Sequence, residues 1–328
     1  MFAVSQAKQR ASQSRWQTLK RHLQHGDVLF RVLTALGALT VFMLIVIIGY
    51  ELWLNSPLPR EKFGWRFLVE SEWNPVTQEF GAFPFIFGTL QTSVMALIFA
   101  VPVSLGIAIF LAELAPAWLR QPLGFIVELL AAVPSVVYGL WGLFVFIPAF
   151  VRPIAELLHT TLGFLPLFTG PVYGPSRLSA SLILAIMILP TISAVSRDVL
   201  LAIPASQREA ALALGATRWE MIWRVLLPYG LSGILGAVIL GLGRALGETM
   251  AVTMVIGNNL ALTASLLHPG YTMASIIANE FAEATYELYI QSLIQIALVL
   301  FVVTLVLNSI ARVLVWRVAR RVPTEVRI

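Results

Sequence analysis

Six long apolar runs, each bounded by polar or proline-bearing segments, divide the chain at roughly 29–53, 85–112, 123–150, 179–201, 229–257 and 290–315. Each is about 20 residues or longer, enough to cross the hydrocarbon core of a bilayer as an α-helix. A β-barrel would show alternating segments of about ten residues instead. The pattern therefore predicts an all-α, polytopic membrane protein with six transmembrane helices. Prolines at 84, 116, 122, 153, 175, 204, 228 and 269 mark most of the boundaries, as expected of residues that end helices. Pro102, Pro134, Pro148 and Pro190 fall inside runs, where membrane helices tolerate them as kinks.

No low-complexity tract or clear repeat interrupts the series, so one transmembrane domain is expected at 29–316. It is flanked by a basic tail at 1–28 and a second tail at 317–328. The tail before the first run is expected to be a surface tail or a helix lying on the membrane. The first run is too long for a signal peptide and lacks an Ala-x-Ala site, so it should stay as an anchor.

Composition agrees with membrane insertion. Of 328 residues, 58% are hydrophobic and 12% charged, about half the charge fraction of a soluble domain. There is no cysteine, which excludes disulfides and thiol-based metal or redox sites. His22, His25, His159 and His268 lack the i, i+4 spacing of a helical metal site, and only the first two share a weaker i, i+3 spacing. No metal site is expected.

The net charge is +5. With both termini placed on one side, sixteen Lys and Arg fall on that side and five on the other, with Arg244 inside a run. The positive-inside rule then puts both termini in the cytoplasm, with anionic lipid headgroups as neighbours. Three outer connections of about 30 residues remain, at 54–84, 151–178 and 258–289. In the last, Glu280, Glu283 and Glu287 would share one face if helical. They read as a solvated acidic face, or as a docking surface.

Two segments carry candidate chemistry. The first is EAALALGATRWEMIWRVLLP at 209–228, within a connection at 204–228 on the cytoplasmic side. Pro204 or Ser206 can start a helix, and Glu209 stands at capping-box spacing from Ser206. Residues 210–214 form a small apolar face able to enter a partner's groove. Gly215 permits a turn into a second short helix.

The second segment is GLGRALGETMAVT at 241–253. On one continuous helix Arg244 lies near mid-membrane, where a charge costs at least about 2.5–3.5 kcal/mol. Glu248, four residues on, would pair with it. Gly241, Gly243 and Gly247 would admit a helix or ligand to the backbone, and Thr249 and Thr253 add hydroxyls. The pair reads as a packing device or as part of an anion path, in which the guanidinium fork of Arg244 suits oxyanion oxygens. Ser135 and Tyr138 follow Pro134. Thr89, Gln91, Thr92, Ser93, Thr191 and Ser193 read first as interhelical hydrogen bonds. No P-loop is present, and the three lysines, Lys8, Lys20 and Lys62, lie outside the runs. This chain should hold no ATP of its own and carry no catalytic residue.

The pattern Glu209, Ala210, Ala211, Gly215, Val225, Leu227 and Pro228 resembles the EAA loop of ABC importer permeases, with Val225 where that family usually has Ile. VPSVVYGLWG at 133–142, SRDVLLAIPASQREAALALGAT at 196–217 and GLGRALGETMAV at 241–252 extend the resemblance to PstC-type permeases of the phosphate-specific importer. The resemblance implies the type I ABC importer permease fold and a place in the bacterial inner membrane. It implies a second, PstA-type permease, two PstB-type subunits that bind ATP and Mg, and an external PstS-type phosphate-binding protein. It places Arg244, Glu248, Thr249, Ser135 and Tyr138 on the phosphate passage. Glu209, Ala210, Ala211, Gly215, Leu227 and Pro228 would contact the ATPase. Other readings are an importer of sulfate or molybdate, an ATP-independent anion transporter or channel, and a scaffold or signalling component.

Overall fold

The structure is a computed structural model that describes the backbone of residues 27–319 and the side chains of 29–317. The expectations for the rest of both tails, His22 and His25 included, lie outside the described residues. Contacts divide the chain into two units, Met1–Asn55 and Ser56–Ile328.

In the first unit, α1 (Asp27–Leu54) is one unbroken helix. Its side chains are apolar and exposed along nearly the whole length, as suits a helix that meets apolar surroundings. Thr34 and Thr40 donate their hydroxyls to the Phe30 and Leu36 carbonyls, each at 2.9 Å, so neither presents a bare polar group to hydrocarbon.

The second unit opens with short elements: α2 (Pro57–Phe63), α3 (Arg66–Val69), and a hairpin of β1 (Trp73–Asn74) and β2 (Glu79–Phe80). Then come α4 (Phe83–Ile109), α5 (Ala117–Ala132), α6 (Ser135–Trp141), α7 (Arg152–Leu162), α8 (Arg177–Leu201), α9 (Ala205–Ala213) and α10 (Arg218–Met221). The unit ends with α11 (Leu227–Gly247), α12 (Met250–Val255), α13 (Met273–Glu280) and α14 (Glu287–Ala319). Wider π-helical turns extend α4 through Phe110–Leu114, join α6 to α7 through Gly142–Val151, and join α10 to α11 through Ile222–Leu226. Among the described residues six helices are long and apolar enough to cross a membrane.

Two of the expected runs are not single helices. The run at 123–150 breaks at Val133, whose φ of −66° and ψ of 127° are extended. The cause is Pro134, which lacks an N–H and disfavours helical backbone at the residue before it. The spanning helix is instead Ser135–Leu162. The run at 229–257 breaks at Glu248 (φ −69°, ψ 125°), just after Gly247, a weak helix former. Pro102 and Pro190, by contrast, stay inside α4 and α8.

The core centres on α8, packed along α4 on one side and α11 on another. Small residues make this possible. A Cβ on Gly233 would lie 2.6 Å from Val199, and one on Gly241 would lie 2.7 Å from Ile192. Without a hydrophobic drive between helices in lipid, such close approach is what holds them together.

The connections at the opposite end from α9 form a second core of Phe67, Trp73, Phe80, Phe85, Tyr271, Met273 and Tyr289. Glu280 sits among them. Its Oε2 accepts the Trp73 indole N–H at 2.8 Å and the Tyr289 hydroxyl at 2.6 Å. Burial, then the Glu280 charge, pushes the Tyr271 phenol above its usual range. The shared acidic face does not form, because α13 ends at Glu280. Glu283 stays exposed in the following turn, and Glu287, which opens α14, accepts from Gln291 at 3.0 Å.

Glu280→Ala removes the acceptor of two donors, each costing about 1–3 kcal/mol when left unpaired. Thermal unfolding of the purified protein should show a clearly lower midpoint for Glu280→Ala and little change for Glu283→Ala.

Candidate substrate passage and coupling segment

The break after Gly247 changes the expected geometry of Arg244 and Glu248. Arg244 remains helical in the last turn of α11, half-buried. Glu248 leaves the helix and turns toward α12, where its Oε1 accepts the Ala251 backbone N–H at 3.3 Å. Among the described residues no ion pair within 4.0 Å joins the two side chains, so the expected i, i+4 pair is not formed. The physical reason is competition. A carboxylate placed just before a helix satisfies an otherwise orphaned N–H and sits at the positive end of the helix dipole.

α12 packs against α6 at a contact set by glycine. A Cβ on Gly139 would lie 2.5 Å from the Met254 sulfur and 3.2 Å from the Ala251 Cα. One turn on, a Cβ on Gly142 would lie 2.9 Å from Ile183. This packing sets α6 against α12, which follows α11 directly along the chain. Tyr138 is buried and donates its hydroxyl to the Leu130 carbonyl at 2.7 Å, bridging the break at Val133 and Pro134. Ser135 is the first residue of α6 and half-buried. Thr249 donates to the Gly247 carbonyl at 3.2 Å, and Thr253 donates to the Thr249 carbonyl at 2.8 Å. Tyr138 and the residues around the two breaks thus lie along the packed α6 and α12, with Arg244 one turn before the break that joins α11 to α12. Of the flanking glycines, Gly241 meets Ile192 and Gly243 faces Asn308, while Gly247 has open space around it.

Of the other polar candidates, Thr89, Gln91, Thr92 and Ser193 make hydrogen bonds, while the buried Ser93 hydroxyl has no partner among the described residues. Thr89 donates to Phe85 and accepts the Met273 N–H, Thr92 donates to Gly88, and Ser193 donates to Pro190. Gln91 donates to the Ala264 carbonyl at 2.7 Å. His159 lies 3.3 Å from the Phe168 carbonyl, and His268 packs on the Tyr173 ring.

One further cation was not singled out by sequence. Arg177, 1% exposed, lies beneath the loop that follows α12. It donates to the Ala261 carbonyl at 2.6 Å and to the Thr263 carbonyl, with the Phe87 ring 5.6 Å away. Counted along the chain it is one more loop charge. Its partners lie more than 80 residues away and are carbonyls, which no residue type announces.

At the other end, α9 and α10 form a helical elbow. Pro204, not Ser206, holds the first cap position of α9, and no bond joins Ser206 to Glu209. The capping box belongs to α10 instead. Thr217 Oγ1 accepts the Glu220 N–H at 3.3 Å, and Glu220 Oε2 accepts the Thr217 N–H at 3.0 Å. Between the helices Gly215 takes φ +85°. Its N–H donates to Leu212 at 3.0 Å, and the Ala216 N–H donates to Ala211 at 3.1 Å. These are the two bonds of a Schellman turn, which requires a left-handed residue at this position.

Ala211, Met221, Ile222, Leu226 and Leu227 pack with Ala108, Ala112, Leu200 and Ile203. Facing away are Glu209, Ala210, Leu212, Ala213 and Pro228, together with Leu214 (89% exposed) and Trp219 (67% exposed). Of the expected apolar face, Ala211 therefore serves the chain's own core and the rest stands free.

The architecture is a broken-helix bundle of membrane-length helices with a helical elbow between two spans. The family described as binding-protein-dependent transport system inner membrane component matches residues 104–321. The phosphate transport system permease protein PstC of Pasteurella multocida is 47% identical over 316 residues, covering 95% of this chain and 98% of that protein. The PstC protein of Mesorhizobium japonicum is 45% identical over 325 residues, covering 98% and 99%. The chain therefore belongs to the binding-protein-dependent transport permeases and, within them, to the PstC group. Among solved structures, a bacterial alginate ABC transporter chain matches with a TM-score of 0.58 at 18% identity, covering 90% of this chain and 95% of that one. The fold is that of a type I ABC importer permease in a multi-pass membrane protein.

The glycine contact gives a direct test. Gly139→Leu forces α6 and α12 apart and should lower the unfolding midpoint of the purified protein, an overpacking cost of about 1–3 kcal/mol. Gly236→Ala, with nothing within 4 Å of its Cβ position, should leave the midpoint unchanged.

Proposed function

We propose that this chain is one permease subunit of an ATP-driven importer of inorganic phosphate and supplies half of the passage. The observation that carries this reading is Arg244, a guanidinium within a membrane-crossing helix that no carboxylate neutralises at ion-pair distance among the described residues. A charge left unpaired at such a position has a cost that a passing anion offsets. Its planar fork suits the oxygens of phosphate, and the curated relatives of matching length carry phosphate in their names. Glu248 lies near without pairing. Its charge weakens anion binding, which lets a transported ion leave.

Thr249, Ser135 and Tyr138 complete the passage lining. The hydroxyls of Thr249 and Tyr138 serve oxyanion oxygens as donors once they leave the Gly247 and Leu130 carbonyls, and the Ser135 hydroxyl adds a third. The passage continues through a second, PstA-type permease, and phosphate arrives from an external PstS-type binding protein. The elbow of α9 and α10 docks on PstB-type subunits, which bind ATP and Mg and hydrolyse the nucleotide. Exposed Leu214 and Trp219, with Glu209, Ala210, Ala211, Gly215, Leu227 and Pro228 building the elbow, fit a groove on such a partner. Both termini lie in the cytoplasm and the protein sits in the bacterial inner membrane, in keeping with the bias of basic residues.

Arg244→Gln should cut ATP-dependent uptake of radiolabelled phosphate by about ten- to a hundredfold, the loss of one charged hydrogen-bonding group, while the complex still co-purifies. Full uptake by an assembled Arg244→Gln complex would remove Arg244 from the passage. Glu209→Lys should instead lower recovery of the ATPase subunit with the permease, measured by co-purification.

A further inference from the structure

The elbow is tied to the rest of the bundle by one side chain whose partners come from two other elements. Arg208, in the first turns of α9, is 20% exposed, and Glu113, in the π-helical end of α4, is 10% exposed. Arg208 Nε donates to Glu113 Oε1 at 2.9 Å, and Nη2 donates to the same oxygen at 2.7 Å. The guanidinium also donates to the carbonyls that end α8, with Nη2 to Leu200 at 2.7 Å and Nη1 to Ile203 at 2.5 Å. All three of its nitrogens are engaged.

These bonds answer three local needs at once. At the end of α8 the Leu200 carbonyl accepts the Ile203 N–H at 3.3 Å and the Ile203 carbonyl lies just past the helix, and an arginine is a common further donor at such an end. The π turn at Phe110–Leu114 widens α4 where Glu113 meets Arg208, and such bulges often mark functional positions. The apolar contacts of Ala108, Ala112, Ile203, Ala211 and Ile222 lie in the same cluster, so the ion pair works at the edge of a packed joint, largely out of water. A lysine could not replace the fork, because its ammonium is a compact point charge without the planar two-donor geometry that Arg208 presents to Glu113.

We infer that the Arg208–Glu113 clamp is the rigid joint that passes movement of the elbow to α4 and α8, so that ATP hydrolysis in a docked subunit is converted to rearrangement of the passage. Arg208 and Glu113 are positioning residues, since neither touches phosphate or nucleotide. This rests on the reading of the chain as an ATP-driven permease, and it assigns the step between docking and transport to two residues outside the EAA pattern. α4 and α8 are the right elements to move, because they pack along each other and α8 also holds α11, which carries Arg244. Without the clamp the elbow still docks through its exposed face. Its motion is then lost in the loosened joint rather than delivered to the helices.

The test is phosphate imported per ATP hydrolysed, measured on the complete complex in proteoliposomes. The variants are Glu113→Gln, Arg208→Gln, Arg208→Lys and the double Glu113→Cys/Arg208→Cys, the last usable because this chain has no other cysteine. Expected for the assembled single variants is ATP hydrolysis near the wild-type rate, with the import ratio lower by about fivefold or more, the low end of a coupling between sites. The double cysteine variant should show the same fall and regain the ratio when a short bis-maleimide ties the two positions. If the glutamine variants fail to assemble, Arg208→Lys, which keeps the charge and loses the fork, is read on the same ratio. A wild-type ratio in every assembled variant overturns the clamp's role, as does a cross-link that restores assembly without restoring the ratio. A wild-type complex that imports no phosphate removes the functional reading itself, and the clamp's role falls with it.

Discussion

Within hydrocarbon every backbone polar group must find a partner inside the protein, and the two broken helices of this bundle exist only because that demand is met. At Val133 and Pro134 the chain leaves the helix, and the Leu130 carbonyl so freed is taken by the Tyr138 hydroxyl. After Gly247 the following helix starts with bare N–H groups, and Glu248 takes one of them. Both solutions recruit residues of the proposed passage. The polar groups that mend the backbone are therefore held in place before any anion arrives, and their position is fixed by the glycine contact between α6 and α12.

The same economy appears at the far end. The Schellman turn at Gly215, the capping box of Thr217 and Glu220, and the fork of Arg208 on the end of α8 satisfy helix ends with local groups. The elbow stands as a solid body with an outward face, rather than as a loop that would have to fold on contact. What remains outside is apolar and exposed, Leu214 together with Trp219 and Trp223, whose rings lie 5.2 Å apart, which suits a surface meant for another subunit.

Much of this was legible in the sequence. Six apolar runs announce six crossing helices, Pro134 announces a kink, and the Gly215 turn follows from its place between two helical segments. The failures have two causes: contacts between distant residues cannot be read from spacing, and neither can the local competition for helix ends. Arg244 and Glu248 sit at ion-pair spacing only on a continuous helix, and Gly247 and the capping demand of α12 ended that helix between them. Glu280, Glu283 and Glu287 look like one face until α13 stops at Glu280 and Trp73, from a connection 207 residues away, claims its carboxylate. Arg208 and Arg177 counted as topology charges because their partners, Glu113 and the Ala261 and Thr263 carbonyls, come from other elements. Ser206 lost the cap of α9 to Pro204, whose fixed backbone already suits a helix start.

In the proposed function Arg244 lends its positive charge to an anion path instead of to a structural ion pair. The most direct measurement replaces Arg244 by cysteine, the sole cysteine of the chain, and modifies it in the assembled complex with thiol reagents of opposite charge while phosphate uptake is recorded. Position 244 is expected to react, phosphate to slow the reaction, and a positively charged aminoethyl adduct to restore part of the uptake while a negatively charged sulfonate adduct does not. A cysteine that reacts at the same rate with and without phosphate, with uptake indifferent to the sign of the adduct, would contradict it.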